Sequence, residues 1–128
     1  MLVDTDVLIW HLRGYPKATQ RLDQLPKLII SAITYLELVQ GMRDRRELLA
    51  LQKSLAMRQA ERLPLTPAIT ERATSLMETL ALSHGLQMGD ALIAATGLEH
   101  QLTVLTANTK HFSAVRGLQL ERFDPGAA

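Results

Sequence analysis

Three acidic residues that are far apart in the chain, Asp4, Glu37 and Asp90, occupy places where an isolated carboxylate is unfavourable. Asp90 stands at the mouth of a helix of small and aliphatic residues, so the helix face that carries this acid is otherwise apolar. Glu37 shares a mostly apolar helix face, and Asp4 follows a short apolar run. Because removing a lone carboxylate from water is costly, we interpret the three acids as members of one shared site.

A site made of these carboxylates suits a hard divalent cation. Two carboxylates about 4 Å apart repel each other by roughly 4 kcal/mol at an effective dielectric constant of about 20. A cation ligated by oxygen atoms relieves that repulsion, and Mg²⁺ and Mn²⁺ prefer such ligands. The chain has no cysteine and its four histidines are scattered, which argues against zinc. This set of ligands predicts metal-assisted hydrolysis of a phosphodiester.

Asp90, Glu37 and the neighbouring acid Asp6 also have purely structural interpretations. Asp90 is a candidate N-cap of its helix, and Asp6 is a candidate N-cap of a helix over 7–12. Alternatively, Glu37 is an ordinary surface acid, and its helix face has been wrongly assigned to the interior. Gly41, one turn after Glu37, weakens the helix relative to alanine, which suggests that another group approaches closely there.

The acids are carried by alternating strands and helices. Short apolar runs predict buried strands, and apolar residues spaced by three and four positions predict amphipathic helices. The predicted strands are a short one that begins at Leu2 and others over 28–30, 62–65, 102–106 and 118–121. The predicted helices cover 7–12, 17–24, 31–42, 47–60, 69–84 and the segment that follows residue 88.

Strands that alternate with helices over this length predict a parallel sheet covered on both faces. We expect an α/β protein of three layers, α/β/α, around a twisted central sheet of four to five short strands. It should form a single domain over 1–124, followed by a frayed tail over 125–128. Asp4 would then lie at the carboxyl end of a strand, where open parallel sheets bind their ligands.

The composition excludes several other classes of protein. With 47% hydrophobic and 21% charged residues, this chain of 128 residues has the composition of a globular domain. The sequence has no apolar run of membrane-spanning length and no signal peptide, and the absence of cysteine fits the reducing cytoplasm. It also lacks the GxxxxGK[ST], GxGxxG, GxSxG and HExxH motifs, and Trp10, its one tryptophan, gives little support to a sugar-binding site.

The distribution of charged residues and the abundance of leucine in one helix indicate binding partners. The formal net charge is +1, but if Asp4, Asp6, Glu37 and Asp90 converge, the rest of the chain carries 14 basic residues and only nine of the 13 acidic ones. A negative hollow in a positive surface suits a polyanionic substrate. The helix predicted over 47–60 has more leucine than one core face requires, so it is either unusually buried or in contact with a partner chain.

Four segments, in this order and spacing, resemble the PIN-domain ribonucleases, and most closely the VapC toxins of VapBC toxin–antitoxin pairs. They are LVDTDVLI at 2–9, SAITYLELVQG at 31–41, GDALIAA at 89–95 and LTAN at 105–108. The resemblance covers essentially the whole chain. It implies a PIN-like fold and an endoribonuclease that depends on Mg²⁺ or Mn²⁺. It also implies a homodimer, and an antitoxin whose C-terminal segment occupies the active-site groove.

In this resemblance, Asp4, Glu37 and Asp90 match the metal-binding acids of the family. The fourth acid of the family usually falls in the loop after the strand that ends at Thr106, where this chain has Asn108 and His111. Asn108 still offers a carbonyl oxygen, and Asp6 is a candidate for replacing the missing charge. The hydroxyls of Thr5 and Thr106 are expected to support the ligands. The candidates for contact with the RNA backbone are Arg13, Arg43, Arg45, Arg46 and Lys110.

The sequence leaves two alternatives to an RNA-cleaving toxin. A PIN-like module that lacks the fourth ligand would bind nucleic acid or protein without catalysis. A nuclease of related architecture would cleave DNA instead of RNA.

Overall fold

The computed structural model describes residues 1–126, which form a five-stranded sheet with helices on both faces. The strands are β1 (Leu2–Val3), β2 (Ile29–Ser31), β3 (Glu61–Leu63), β4 (Val104–Thr106) and β5 (Leu120–Arg122). They lie in the order β3-β2-β1-β4-β5, and every neighbouring pair is parallel. The predicted parallel α/β/α fold is therefore confirmed.

Six helices connect the strands. They are α1 (Thr5–Leu12), α2 (Pro16–Asp23), α3 (Ala32–Gln40), α4 (Arg45–Met57), α5 (Pro67–His84) and α6 (Met88–His100). The starts of α3, α4 and α5 follow from local chemistry, because the side chains of Ser31, Asp44 and Thr66 accept hydrogen bonds from the first turn of each. Helix α5 ends at Gly85, whose φ of 67° is unfavourable for residues with a β-carbon.

The short strands separate two hydrophobic cores. Side chains that follow one another along a strand point to opposite faces of the sheet. Leu2 and Val104 accordingly pack in one core with α5 and α6, whereas Val3 and Leu105 pack in the other with α1, α2 and α4. All four side chains are fully buried. The strands are thus covered on both faces, which explains why their sequences are continuously apolar.

The strand order places β1 at the centre of the sheet. The chain proceeds from β1 outward through β2 to β3, and then returns to the other side of β1 to form β4 and β5. The direction of this progression reverses between β1 and β4. Ligands of open parallel sheets bind beyond the carboxyl ends of the strands at such a reversal. The residues that follow β1 and end β4 are Asp4 and Thr106.

The helix starts next to Asp6 and Asp90 differ from their predictions. Helix α1 begins at Thr5 and not at residue 7, because Asp4, rather than Asp6, is its N-cap and accepts a hydrogen bond from the Thr5 N–H. Helix α6 begins at Met88, with Gln87 in the N-cap position, so Asp90 is its third residue and not its cap. Neither Asp6 nor Asp90 is accounted for by capping.

Helix α4 also differs from its prediction. It begins two residues earlier than predicted, so Arg45 and Arg46 lie in its first turn and not before it. The helix is not unusually buried, because Leu51 is its one buried residue, whereas Leu49 is 50% exposed and Met57 is 75% exposed. The predicted tail over 125–128 falls partly on residues 127 and 128, which lie outside the described residues. No helix within 1–126 has both the length and the apolar character needed to cross a membrane.

The contrast between two leucines of α4 gives a test of the fold. Leu51 is 2% exposed, so we expect Leu51→Ala to lower the free energy of unfolding by about 2–5 kcal/mol through loss of buried area and formation of a cavity. The control is Leu49→Ala on the same helix, which should change stability by about 0.5 kcal/mol or less. Chemical denaturation measures both values, and equal losses would contradict this burial pattern.

Candidate active site

Asp4 is a buried carboxylate at the carboxyl end of the central strand. Its side chain is held by two hydrogen bonds, from the Thr5 N–H to Oδ1 (2.7 Å) and from the Thr106 hydroxyl to Oδ2 (2.8 Å). The residue is only 5% exposed. The pairing of β1 with β4 brings Thr106 to this position from the far end of the chain. The sheet itself therefore fixes the orientation of Asp4.

Asp6 lies beside Asp4 but is turned toward the loop that follows β4. Its carboxylate accepts hydrogen bonds from the Ala107 N–H at 3.2 and 3.3 Å, and its Oδ2 lies 3.3 Å from the Thr106 hydroxyl. The Asn108 side-chain amide donates to the same Oδ2 at 3.5 Å. Asp6 thus anchors the loop that begins at Ala107, and Asn108 directs an N–H toward Asp6.

Glu37 reaches the same region from α3. The Thr5 hydroxyl donates to Glu37 Oε1 at 2.7 Å, and the Thr34 hydroxyl oxygen lies 3.0 Å from that of Thr5. On its other side, Glu37 lies against the first turn of α6 at Gly89. A half-buried acid on this inner face is consistent with the apolar pattern of its helix.

Asp90 enters from the first turn of α6 and is half-buried. Its Oδ2 lies 3.5 Å from Nδ1 of His111, which belongs to a short 3₁₀ turn, Thr109–His111, in the loop after β4. Residue 111, one of the two loop positions at which the family resemblance places a fourth acid, is thus an imidazole that faces Asp90. The composition alone gave no sign of this pairing, because it depends on how the loop folds over α6.

The acids influence one another electrostatically. Burial, together with the negative charges of Asp6 and Asp90, raises the pKa of Asp4 to about 8. Burial also raises the pKa of Asp90; His111 opposes this shift, while the charges of Glu37 and Asp6 add to it. Within residues 1–126, none of the ion pairs made by lysine or arginine involves any of these four acids. Among the described residues, therefore, no lysine or arginine neutralises the cluster by direct pairing, and its basic partner is His111 beside Asp90.

The chemistry of these donors fits Mg²⁺ or Mn²⁺, because the carboxylates offer only oxygen and a cation would favour the ionisation of Asp4, which burial and the neighbouring acids oppose. As the side chains stand, no three aspartate, glutamate or histidine groups among residues 1–126 are close enough together to form a ready-made metal site. Instead, the Thr5 hydroxyl donates a hydrogen bond to a carboxylate oxygen of Glu37, and the Thr106 hydroxyl donates one to a carboxylate oxygen of Asp4. The acids thus fit a cation by their charge and by the type of their ligand atoms, and not by a ready-made arrangement of those atoms.

A groove of about 680 Å³ adjoins the acids between α1, α3 and α4. Glu37 lies in its wall, together with Arg13 and the Arg43–Glu47 ion pair, whose closest atoms are 2.7 Å apart. The remaining wall is apolar and includes Ile9, Leu12, Leu38, Met42, Ala50 and Leu51. Two of the predicted RNA-contacting arginines, Arg13 and Arg43, line this groove. The others, Arg45, Arg46 and Lys110, are exposed outside its wall.

The raised pKa of Asp4 predicts how stability changes with pH. A carboxyl whose pKa is higher in the folded than in the unfolded chain stabilises the fold below about pH 4, and this contribution is lost as the pH rises through about 8. Without divalent ions, Asp4→Asn should therefore be more stable than the unsubstituted chain at pH 9, by a few kcal/mol. The advantage should shrink toward pH 4.

Thermal and urea unfolding in EDTA at both pH values measure this effect. The control is Glu78→Gln on the exposed side of α5, which should change stability little at either pH. An Asp4→Asn variant that is less stable than the unsubstituted chain at pH 9 would refute the electrostatic description.

Comparisons with known proteins agree with this arrangement. Residues 1–118 match the family model of the PIN domain. Ribonuclease VapC10 of Mycobacterium tuberculosis is 38% identical over 132 aligned positions, which cover 98% of this chain and 96% of that protein. Ribonuclease VapC19 of the same organism is 32% identical and covers 92% of this chain and 96% of that protein.

Solved structures show the same fold. A toxin–antitoxin complex from Klebsiella pneumoniae contains a chain with a TM-score of 0.78 and 28% identity, and the match covers 99% of this chain and 98% of that one. VapBC2 from Rickettsia felis, bound to a DNA fragment from its promoter, has a TM-score of 0.81 at 22% identity and is similar in fold. The resemblance found in the four sequence segments is thereby confirmed. Since the family match extends from β1 to the approach to β5, this chain belongs to the PIN-domain family.

Proposed function

We propose that this chain is the toxin of a type II toxin–antitoxin pair and that it cleaves RNA as a metal-dependent endoribonuclease. The observation that carries the proposal is that Asp4, Glu37 and Asp90 reach one region beyond the strand ends, where, among the described residues, His111 beside Asp90 is the one basic side chain paired with any of them. The names of the relatives support it, since two VapC ribonucleases are 38% and 32% identical to this chain.

Asp4, Glu37 and Asp90 are the residues that would hold Mg²⁺, for which Mn²⁺ should be able to substitute. When bound, the cation supplies charge neutralisation and activates water for attack on an RNA phosphodiester, which would leave a 5′-phosphate and a 3′-hydroxyl. Thr106 orients Asp4 and Thr5 orients Glu37, each through a hydroxyl that donates to the carboxylate. Such supporting hydrogen bonds fix the ligands before the cation binds.

Asp6 and Asn108 are weaker candidates for direct ligands. The Asp6 carboxylate already accepts hydrogen bonds from Ala107 and Asn108, so its first role is to hold the loop beyond β4 in place. This loop carries His111 to Asp90. We infer that Asp6 compensates for the missing fourth acid mainly by adding negative charge to the cluster.

Positive charge on the rim would hold the RNA backbone. Arg13 and Arg43 line the groove beside Glu37, so a phosphate placed between them would lie next to the acids. Arg45, Arg46 and Lys110 are exposed and would extend this surface. Because RNA is the proposed substrate and the chain has no cysteine, we place the activity in the cytoplasm.

The groove is also the proposed site for the antitoxin. Its volume lies within the range typical of ligand clefts, and its apolar wall leads directly to Glu37. An extended segment with apolar side chains would cover this wall and block access to the acids at the same time. The solved relatives that are toxin–antitoxin complexes support a partner of this kind.

We further propose a homodimer, in line with the family resemblance. Large apolar side chains remain exposed in the single chain, including Leu36 (55%) and Met88 (68%), which lie next to Glu37 and Gly89 in the sequence. These residues offer a surface that a second copy would cover.

The central test of the function is the Asp90→Asn variant. We expect it to lose RNA cleavage and toxicity to cells by at least about a hundredfold, since it removes one charge from the proposed ligand set. The fold should be retained or slightly stabilised, because the substitution relieves repulsion from Glu37 and Asp6. Paired digestions of RNA and DNA in Mg²⁺ measure activity and substrate class, and circular dichroism checks the fold.

Thermal unfolding with added Mn²⁺ distinguishes the proposed nuclease from the alternative function, a PIN-like module that binds without catalysis. A working acid site should be stabilised by the ion in the unsubstituted chain and much less in Asp90→Asn. Unchanged cleavage in Asp90→Asn would remove the proposed mechanism. Absence of both cleavage and a Mn²⁺ response in the unsubstituted chain would favour the binding module.

The antitoxin site is tested at Leu12, which lines the groove and is 41% exposed. Leu12→Glu places a charge on the apolar wall and should weaken binding of the cognate antitoxin by about tenfold or more. The matched control is Leu82→Glu on α5, because Leu82 is fully exposed and lies outside the groove. Calorimetric titration compares the variants, and equal affinities would place the antitoxin elsewhere.

A further inference from the structure

We propose that Gly89 is a positioning residue that determines where the Glu37 carboxylate lies. Gly89 is the second residue of α6, directly before Asp90. A β-carbon at this position would lie 2.6 Å from Glu37 Oε2 and 3.3 Å from Glu37 Cδ. Such a distance is well below van der Waals contact. The carboxylate therefore occupies space that is open only because residue 89 has no side chain.

The backbone does not require glycine at this position. Gly89 lies within a regular helix and is not among the residues with positive φ. Alanine would be accepted by this backbone and is a better helix former than glycine. The Glu37 carboxylate explains the glycine, because it is the group nearest to the missing β-carbon.

Glu37 is confined from two sides. The Thr5 hydroxyl holds Oε1 at 2.7 Å, while Oε2 rests against Gly89. Helices α3 and α6 pack against each other, so the two backbones are fixed relative to one another. An added methyl group would displace the flexible end of the Glu37 side chain rather than either helix. That displacement would break the bond to Thr5 and move the carboxylate away from its place beside Asp90.

Gly41 provides a contrast. The sequence suggested a close approach there, but a β-carbon at Gly41 would lie 3.6 and 3.7 Å from the nearest carbonyl oxygens, which is ordinary contact. Its φ of −83° also accepts alanine. Gly41→Ala therefore adds a methyl group on the helix that carries Glu37 without touching the carboxylate, which makes it the matched control for metal binding.

The experiment is a double-mutant cycle of Gly89→Ala and Glu37→Ala, read out by thermal unfolding in EDTA. In the Glu37→Ala background, the added methyl group meets no carboxylate, and we expect the melting temperature to rise by a few degrees through helix propensity. In the unsubstituted background, this gain should be reduced or reversed. Equal changes in both backgrounds would overturn the proposal. If Gly89→Ala alone does not fold, recovery of folding in the double variant supports the proposal and failure of both overturns it.

The expected effect of Gly89→Ala on metal affinity rests on the proposed function and is measured by titration with Mn²⁺. We expect Gly89→Ala to weaken apparent Mn²⁺ affinity by about tenfold or more, with no further loss when Glu37→Ala is added, and Gly41→Ala to stay within about twofold of the unsubstituted chain. Wild-type affinity in Gly89→Ala, or additive losses, would overturn the proposal. If the unsubstituted chain does not respond to Mn²⁺, the proposed function fails, and the cycle in EDTA still decides whether Gly89 positions Glu37.

Discussion

The structure depends on accommodating an acid at the buried end of its central strand. Asp4 is covered by protein, lies near two other aspartates and is held by hydrogen bonds that require β1 and β4 to pair. Burial and like charge both oppose ionisation there. A cation bound beside Asp4 would offset this penalty, and stability and ligand binding would then be coupled through one carboxylate.

The rest of the molecule arranges neighbours around that residue. The sheet brings Thr106 to Asp4, α1 brings Thr5 to Glu37, and α6 brings Asp90 into the same region. The hydroxyls hold the carboxylates without neutralising them, which preserves the negative charge that a cation would require. Glu37 lies in the wall of the groove between α1, α3 and α4, so an occupant of the groove would come into contact with one of the acids.

Much of this arrangement could be predicted from the sequence, because buried strands and amphipathic helices leave local patterns. The helix starts were harder to predict, since aspartate is equally favourable as an N-cap at residues 4 and 6, and only the structure shows that Asp4 caps α1. The close approach suggested at Gly41 was found at Gly89, because it depends on the packing of α3 against α6. The exposure of α4 and the pairing of His111 with Asp90 likewise depend on contacts between distant segments.

The central position of β1 has a consequence for biosynthesis. The hydrogen bond between Asp4 and Thr106 joins residues separated by 102 positions, and β4 can occupy its place only after the helices between them have been made. A chain still emerging from the ribosome carries Asp4 and Glu37 early, but it has neither Asp90 nor the strand that orients Asp4. The order of synthesis thus keeps a growing chain from assembling its acids beside the RNA of its own ribosome.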